Sequence, residues 1–274
     1  MKIVRYSNAQ AQTCYGILHP AGAITRAEGD PFAGPTNTGG LADTGELAEV
    51  RKLLAPVPVT NILCIGLNYR KHAEEGGKPI PTRPVLFMKT STAVTNPADP
   101  IVLPRALRSD KVDYECELVV VIGKPCKNVS RAEALDYVLG YTCGNDVSAR
   151  DWQAEWGGGQ WCRGKTFDTF APLGPCLVTT DEISNPNNLG IRTRLNGEVL
   201  QDWTTADMIF DVPTLIEFLS GSTTLQPGTV IFTGTPHGVG FARTPPVWLK
   251  AGDEVTVEID GIGTLTNSVI EETF

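Results

Sequence analysis

Along most of this chain apolar and polar residues alternate in short runs bounded by glycine and proline. Side chains of a strand point to its two faces in turn, so this alternation predicts strands with one buried face. In the larger part of the chain the strands fall at Ile62–Leu67, Val85–Lys89, Glu115–Ile122, Tyr141–Cys143, Cys176–Thr179, Ile191–Leu195, Val230–Thr233 and Glu254–Ile259. Helical periodicity is sparse: Arg131–Tyr137, Ser148–Trp156 and Val212–Leu219. Ser130 and Glu133 form an S-x-x-E capping box ahead of the first of these.

The beginning of the chain reads differently. "MKIVRY", "CYGIL" and "AITRAE" are short strands, followed by a polar connection from Gly29 to Gly45 and a brief helix around Leu47–Leu54. "APVPVT" then reads as an extended linker, because proline cannot continue a helix. The pattern predicts a small N-terminal β-rich domain over 1–56 and a larger domain over 57–274. The whole is a β-rich α+β protein with long loops.

One segment does not fit simple alternation. In "VDYECELVVVIGK" the acids Asp113, Glu115 and Glu117 precede a buried-type run, and a period of two sets all three on one face. Glu115 and Glu117 would emerge about 7 Å apart. Like charges that close are costly unless a cation binds them, and a hard cation taking carboxylate oxygens is the natural partner. A solvated strand face would show the same alternation.

Composition narrows the function. With 23 basic and 31 acidic side chains the net charge is -8, which offers no electrostatic footprint for nucleic acid or an anionic membrane. Gly 28 and Pro 20 fit many turns and short strands. No apolar run approaches the roughly 20 residues needed to span a bilayer. "MKIVRYS" reads as a strand and lacks the features of a signal or transit peptide. The 7 cysteines include no C-x-x-C pair, so neither a disulfide framework nor a zinc site is expected. Reduced thiols point to a cytoplasmic protein.

Further motifs carry chemistry. In "GNDVSARDWQ", Asp146 follows a strand and is either a helix cap or, if Ser148 caps instead, a ligand. Gln153 would ordinarily be a surface residue. His72 and Glu75, spaced i,i+3 in "NYRKHAEEGG", can meet on a helical turn as an oriented His–carboxylate pair. Gly159 to Thr166 matches the G-x-x-x-x-G-K-[ST] phosphate loop, but no apolar strand precedes it and prolines 172 and 175 preclude the required helix. Nucleotide binding is therefore rejected, and Lys165 remains as a positive charge for an anionic substrate. In "VIFTGTPHGVG", Thr235 could donate its hydroxyl and backbone N–H to a carboxylate.

Together, "GLNYRKHAEE", "PVLFMK", "DYECELVVVIG", "NDVSARDWQ", "GKTFDTFAPLGP", "LNGEVLQ", "PGTVIFTGTPHGVG" and "LKAGDEV" resemble the fumarylacetoacetate hydrolase (FAH) superfamily, in the family's order and from Asn61 to the C-terminus. The chain looks most like the branch of FAH domain-containing protein 2. The resemblance implies a mixed β-roll catalytic domain, a homodimer and one Mg²⁺ or Mn²⁺. It carries metal-ligand roles to Glu115, Glu117 and Asp146, the His–Glu dyad to His72 and Glu75, and the substrate lysine to Lys165. Gln153, Gly234, Thr235 and a second lysine, Lys89, fall in the substrate pocket. The fumarylacetoacetase branch has a fourth upstream carboxylate and a tyrosine after the glutamine. Neither is present here, so fumarylacetoacetate itself is not implied as substrate.

The implied chemistry passes through an enolate of a small 2-oxo or 1,3-dicarbonyl acid, stabilised by a Lewis-acidic cation. C–C bond cleavage of a 2,4-dioxo or β-keto acid, by hydrolysis or decarboxylation, is the leading expectation. The alternatives are oxaloacetate keto–enol tautomerisation and a biosynthetic reaction on a larger β-keto acid.

Overall fold

The computed structural model describes residues 1–34 and 40–274 of the chain. Its centre is the strand Cys116–Ile122, buried at every position because it is covered on both faces. Leu118, Val120 and Ile122 face one apolar cluster, while Val119 and Val121 face another. The antiparallel neighbours of this strand are Val138–Asn145 and Thr229–Phe232.

These strands belong to a twelve-stranded sheet. Its order runs Gly40–Leu47, Ile24–Asp30, Thr13–Leu18, Lys2–Ser7, Ala171–Thr179, Val138–Asn145, Cys116–Ile122, Thr229–Phe232, Asn61–Gly66 and Val85–Lys89. Lys52–Leu54 pairs with Lys2–Ser7, and Val94–Thr95 with Ala171–Thr179. A second, five-stranded sheet runs Glu198–Thr204, Gly190–Leu195, Glu254–Ile259, Gly263–Glu271 and Ile101–Leu103. Ile191, Val257, Ile259 and Leu265 of this sheet share the first cluster with Leu118 and Tyr141 of the other. The protein is thus β-rich, as the alternation predicts, with a small β-rich N-terminal part. That part joins the large one through backbone hydrogen bonding, since Lys2 and Ile3 pair with Val178 and Leu177.

The helix Val212–Ser220 follows from its sequence. Asp211 accepts from Thr214 N at 3.0 Å as the N-cap, and Val212, Leu215, Ile216 and Leu219 make the buried stripe.

Several expectations need correction. The helix around Leu47–Leu54 is not formed: Leu47 ends one strand, and Lys52–Leu54 is another, pairing Arg5 with Leu54. Good helix formers lose here to cross-strand pairing with the first residues of the chain. Of the predicted Gly29–Gly45 connection, residues 35–39 lie outside the described residues, while Gly40–Leu47 is a strand. Only Ala134–Tyr137 of the Arg131–Tyr137 segment is helical, as one tight 3₁₀ turn. Ser130 Oγ donates to Glu133 Oε2 at 2.6 Å, so the two side chains of the capping box satisfy each other and not the backbone. Ser148 and Ala149 pair with Asp113 and Val112, so that helix spans only Arg150–Ala154.

Candidate active site

The acidic segment does not form one uninterrupted strand. Val112–Asp113 and Cys116–Ile122 are separate strands, and Glu115 lies in the break between them. Asn145 Oδ1 accepts from Glu115 N at 3.0 Å, and Asp146 N donates to Glu115 O at 2.9 Å. The break turns Asp113 away from the other two acids. Its carboxylate accepts from Gly240 N, Phe241 N and Arg150 Nε at 2.7, 3.0 and 2.9 Å. The place expected for Asp113 beside the glutamates is taken by Asp146, one residue past the strand Val138–Asn145.

Glu115, Glu117 and Asp146 are all buried, and one oxygen from each lies within 4.8 Å of the others. Asp146 caps no helix, and neither does Ser148, whose hydroxyl donates to Asp146 O at 2.8 Å. Asp146 is therefore free to serve the cluster. Its Oδ1 faces the Lys89 ammonium at 2.6 Å. Burial, then Asp146 and Glu115, push the Glu117 carboxyl well above its usual range. Burial acts the same way on Glu115, but Lys165 and Arg150 outweigh it and hold that carboxyl well below the usual range. A convergent set of buried carboxylates, one of them strongly disfavoured as an anion, is suited to a hard divalent cation. The three acids can coordinate one.

Lysines flank the cluster. Lys165 Nζ donates to Asp146 Oδ2 at 2.6 Å and to Glu115 Oε2 at 3.0 Å. Burial would lower its pKa, but the two acids prevail and raise it, so the ammonium is retained. Lys89 is equally buried, yet its protons go to the carbonyls of Val147, Lys165 and Phe170 at 3.0, 2.9 and 2.8 Å. It stands behind Asp146 and does not line the cavity.

The G-K-T string also has a structural explanation. Gly164 lies in the short helix Cys162–Lys165, packed on the helix Arg150–Ala154. A Cβ there would come within 2.5 Å of Gln153 N and 2.6 Å of Ala149 O. Glycine allows this close approach and so delivers Lys165 to the carboxylates.

Above the acids is a cavity of about 610 Å³. Glu115, Glu117, Lys165, Arg150, His72, Gln153 and Thr235 form its polar side; Phe87, Trp161, Phe241 and Trp248 form its apolar side. His72 and Glu75 lie on the helix Arg70–Glu75, with His72 Nδ1 2.8 Å from Glu75 Oε1. Donation from Nδ1–H to this carboxylate leaves Nε2 as the basic nitrogen. Glu75 also accepts from Gly238 N at 2.9 Å. Gly234 contributes its backbone, donating to Glu117 Oε2 at 2.7 Å. Its φ of 97° and a Cβ position 2.7 Å from Asn68 Cβ require glycine. Gln153 Oε1 accepts from Arg150 Nη1 at 3.0 Å, and the Thr235 hydroxyl accepts from Gln201 Nε2 at 2.9 Å.

Arg150 is the residue that sequence reasoning missed. It joins Asp113, Glu115 and Gln153, and its guanidinium lies 4.6 Å from the Phe241 ring centroid. The only signal was its spacing, four after Asp146 and three before Gln153, which puts it on the same side of a helical turn as Gln153.

Residues 61–270 match the family model "Fumarylacetoacetate (FAA) hydrolase C-terminal", and residues 1–56 match "Rv2993c-like, N-terminal". Oxaloacetate tautomerase fahd2, mitochondrial, of Xenopus laevis is 51% identical over 78% of this chain and 67% of its own length. Oxaloacetate tautomerase FAHD2A, mitochondrial, of Homo sapiens is 48% identical over 79% and 69%. A crystal structure of 5-carboxymethyl-2-hydroxymuconate delta-isomerase from Mycobacterium smegmatis superposes with a TM-score of 0.81 at 38% identity, covering 99% of this chain and 100% of the other.

The cytoplasmic expectation is corrected by these relatives, which are mitochondrial by name. Free thiols, here all seven cysteines, do not distinguish one reducing compartment from another. No helix of the described residues is long and apolar enough to cross a membrane. With a family model matched over most of its length and relatives near 50% identity, the chain is an enzyme of the fumarylacetoacetate hydrolase family, close to its FAH domain-containing protein 2 branch.

Proposed function

We propose that this protein catalyses keto–enol tautomerisation of a small 2-oxo dicarboxylic acid, oxaloacetate or a close analogue. Mg²⁺ or Mn²⁺ would be held by Glu115, Glu117 and Asp146. The observation that carries the reading is a dyad with a basic nitrogen opening on the same cavity as the carboxylate cluster. Support is better for this alternative than for the C–C cleavage expected first. Relatives at 48–51% identity are named oxaloacetate tautomerases, and the similar Mycobacterium smegmatis protein is named an isomerase.

The bound cation would supply a Lewis acid for the negative charge that develops on the 2-oxo oxygen. His72 Nε2 takes a proton from the carbon beside the 2-oxo group, and the imidazolium gives it back at oxygen; the reverse order returns the keto form. Glu75 holds the ring in place through its contact with Nδ1. Lys165 and Arg150 place positive charge beside the anionic substrate. Four buried acids (Asp113, Glu115, Glu117, Asp146) stand against three cations (Lys89, Lys165, Arg150), so a divalent ion held by the ionised acids would leave the site net positive and suited to a dicarboxylate. No step requires an attacking water.

Proton NMR of oxaloacetate with protein and Mg²⁺ tests the reading. Keto and enol forms should equilibrate faster without new products, and Glu117→Ala should remove the effect. Pyruvate plus a second acid, formed from an acylpyruvate at a comparable rate, would replace tautomerisation with C–C cleavage.

A further inference from the structure

The motif "LNGEVLQ" ends in a side chain that the chemistry above leaves without a task. Gln201, on the strand Glu198–Thr204, is 1% exposed and lies outside the cavity lining. We propose that Gln201 is a positioning residue that fixes the polarity of the Thr235 hydroxyl, making it a dedicated proton donor to the anionic end of the substrate.

The orientation of the Gln201 amide is forced by its partners. Oε1 accepts from Cys116 N at 3.1 Å, a backbone group that can only donate, and from Thr193 Oγ1 at 2.7 Å. Nε2 faces Pro236 O at 2.8 Å, a carbonyl that can only accept. A flipped amide would oppose donor to donor and acceptor to acceptor. With the orientation fixed, Nε2 also donates to Thr235 Oγ1 at 2.9 Å, so the threonine oxygen is the acceptor in this pair. Its own proton is left for another partner. Thr235 lines the same cavity as Glu117 and Lys165. The competing acceptor nearby is the Cys116 thiol, and thiol sulfur accepts weakly. A substrate carboxylate or oxo oxygen is the stronger acceptor.

Gln201 also grips the backbone between the two glutamates, because Cys116 separates Glu115 from Glu117. Two roles are therefore distinguishable: setting the threonine proton, or merely bracing the acids. The inference rests on reading the cavity as a 2-oxo acid site.

Calorimetric titration of oxalate, a non-reacting dianionic analogue, into protein saturated with Mg²⁺ separates them. Gln201→Met should weaken oxalate about tenfold, the scale of a hydrogen bond to a charged group, with Mg²⁺ affinity unchanged. Thr235→Val should lose as much, and Gln201→Met added to it should lose nothing further, whereas in Thr235→Ser the Gln201 effect should persist. Should Gln201→Met not fold, Gln201→Glu keeps the shape and the Oε1 bonds but turns the second oxygen into an acceptor of the threonine proton. It should lose oxalate affinity to a similar degree. Additive losses in the double variant, a parallel fall in Mg²⁺ affinity, or oxalate binding to the glutamate variant as tight as to wild type would each overturn the proposal. Wild-type protein that takes up Mg²⁺ but no oxalate would instead remove the oxo-acid reading, and this inference with it.

Discussion

The Lys89 ammonium lies 2.6 Å from Asp146 Oδ1 but directs its hydrogen bonds to three backbone carbonyls, those of Val147, Lys165 and Phe170. It is a fixed charge behind the acids that also ties together the segments carrying Asp146 and Lys165. Lys89→Met leaves buried Asp146 with only one of its two lysine counter-charges, Lys165, and should cost about 3–5 kcal/mol of stability, measurable by urea unfolding. Mg²⁺ should then raise the Tm of the variant by more than that of wild type. A variant as stable as wild type would contradict this account.

Glu117 gives the site a pH signature. Burial, helped by Asp146 and Glu115, raises its pKa well above 4.5. Between pH 4.5 and that raised value the folded state keeps a proton that the unfolded chain has released. Its stabilising effect is thus complete below pH 4.5 and is lost as pH rises through the folded-state pKa. Glu117→Gln removes the titration. In EDTA, the Tm of the variant relative to wild type should climb as pH rises above 4.5, and saturating Mg²⁺ should reverse the order. Melting curves whose difference is flat with pH would exclude this role for Glu117.

The dyad should separate from the carboxylate cluster in function. His72→Ala should lower the tautomerisation rate by about 10²–10⁴-fold while the Tm gain on adding Mg²⁺ stays as in wild type. Glu75→Gln should have a smaller effect on rate, because the amide oxygen can still accept from His72 Nδ1. Equal Mg²⁺-dependent rates in wild type and His72→Ala would rule out the histidine as the proton carrier.

Gly164→Ala tests how Lys165 is delivered. The added methyl meets backbone, not a flexible side chain, so the helix Cys162–Lys165 must move. The expected cost is about 1–3 kcal/mol, together with a rise in KM as Lys165 withdraws from Glu115 and Asp146. Unchanged KM would show that the lysine tolerates the displacement.

The central strands were legible in the sequence because each is covered by apolar neighbours and bounded by turn residues. Val85–Lys89 and Glu254–Ile259 have the expected bounds. The strands Glu198–Thr204 and Gly263–Glu271 were not anticipated. They carry many polar residues, and their pairing is set by partners such as Gly190–Leu195 and Glu254–Ile259. Leu47–Leu54 misled for the converse reason, since local helix propensity yields to pairing with residues some fifty positions away. In the site, period-two spacing brought out the acids but could not reveal the break at Glu115 that turns Asp113 toward Arg150. An arginine in a short amphipathic stretch looks like a solvated one until its partners are known. Lys89 was expected in the pocket from the family resemblance, and a lysine ending an apolar strand gives no hint of three carbonyls converging behind it.

The register between Lys2–Ser7 and Ala171–Thr179 bears on how the molecule can be cut. Removing residues 1–56 would leave Leu177 and Val178 with an unprotected flank, since Ile3 and Lys2 are their partners there. That flank belongs to an apolar strand next to Val138–Asn145, whose end leads into Asp146. An unpaired apolar strand invites another chain to pair with it. A shortened form of this enzyme would therefore tend to self-associate, through the same strand that backs the segment leading to Asp146.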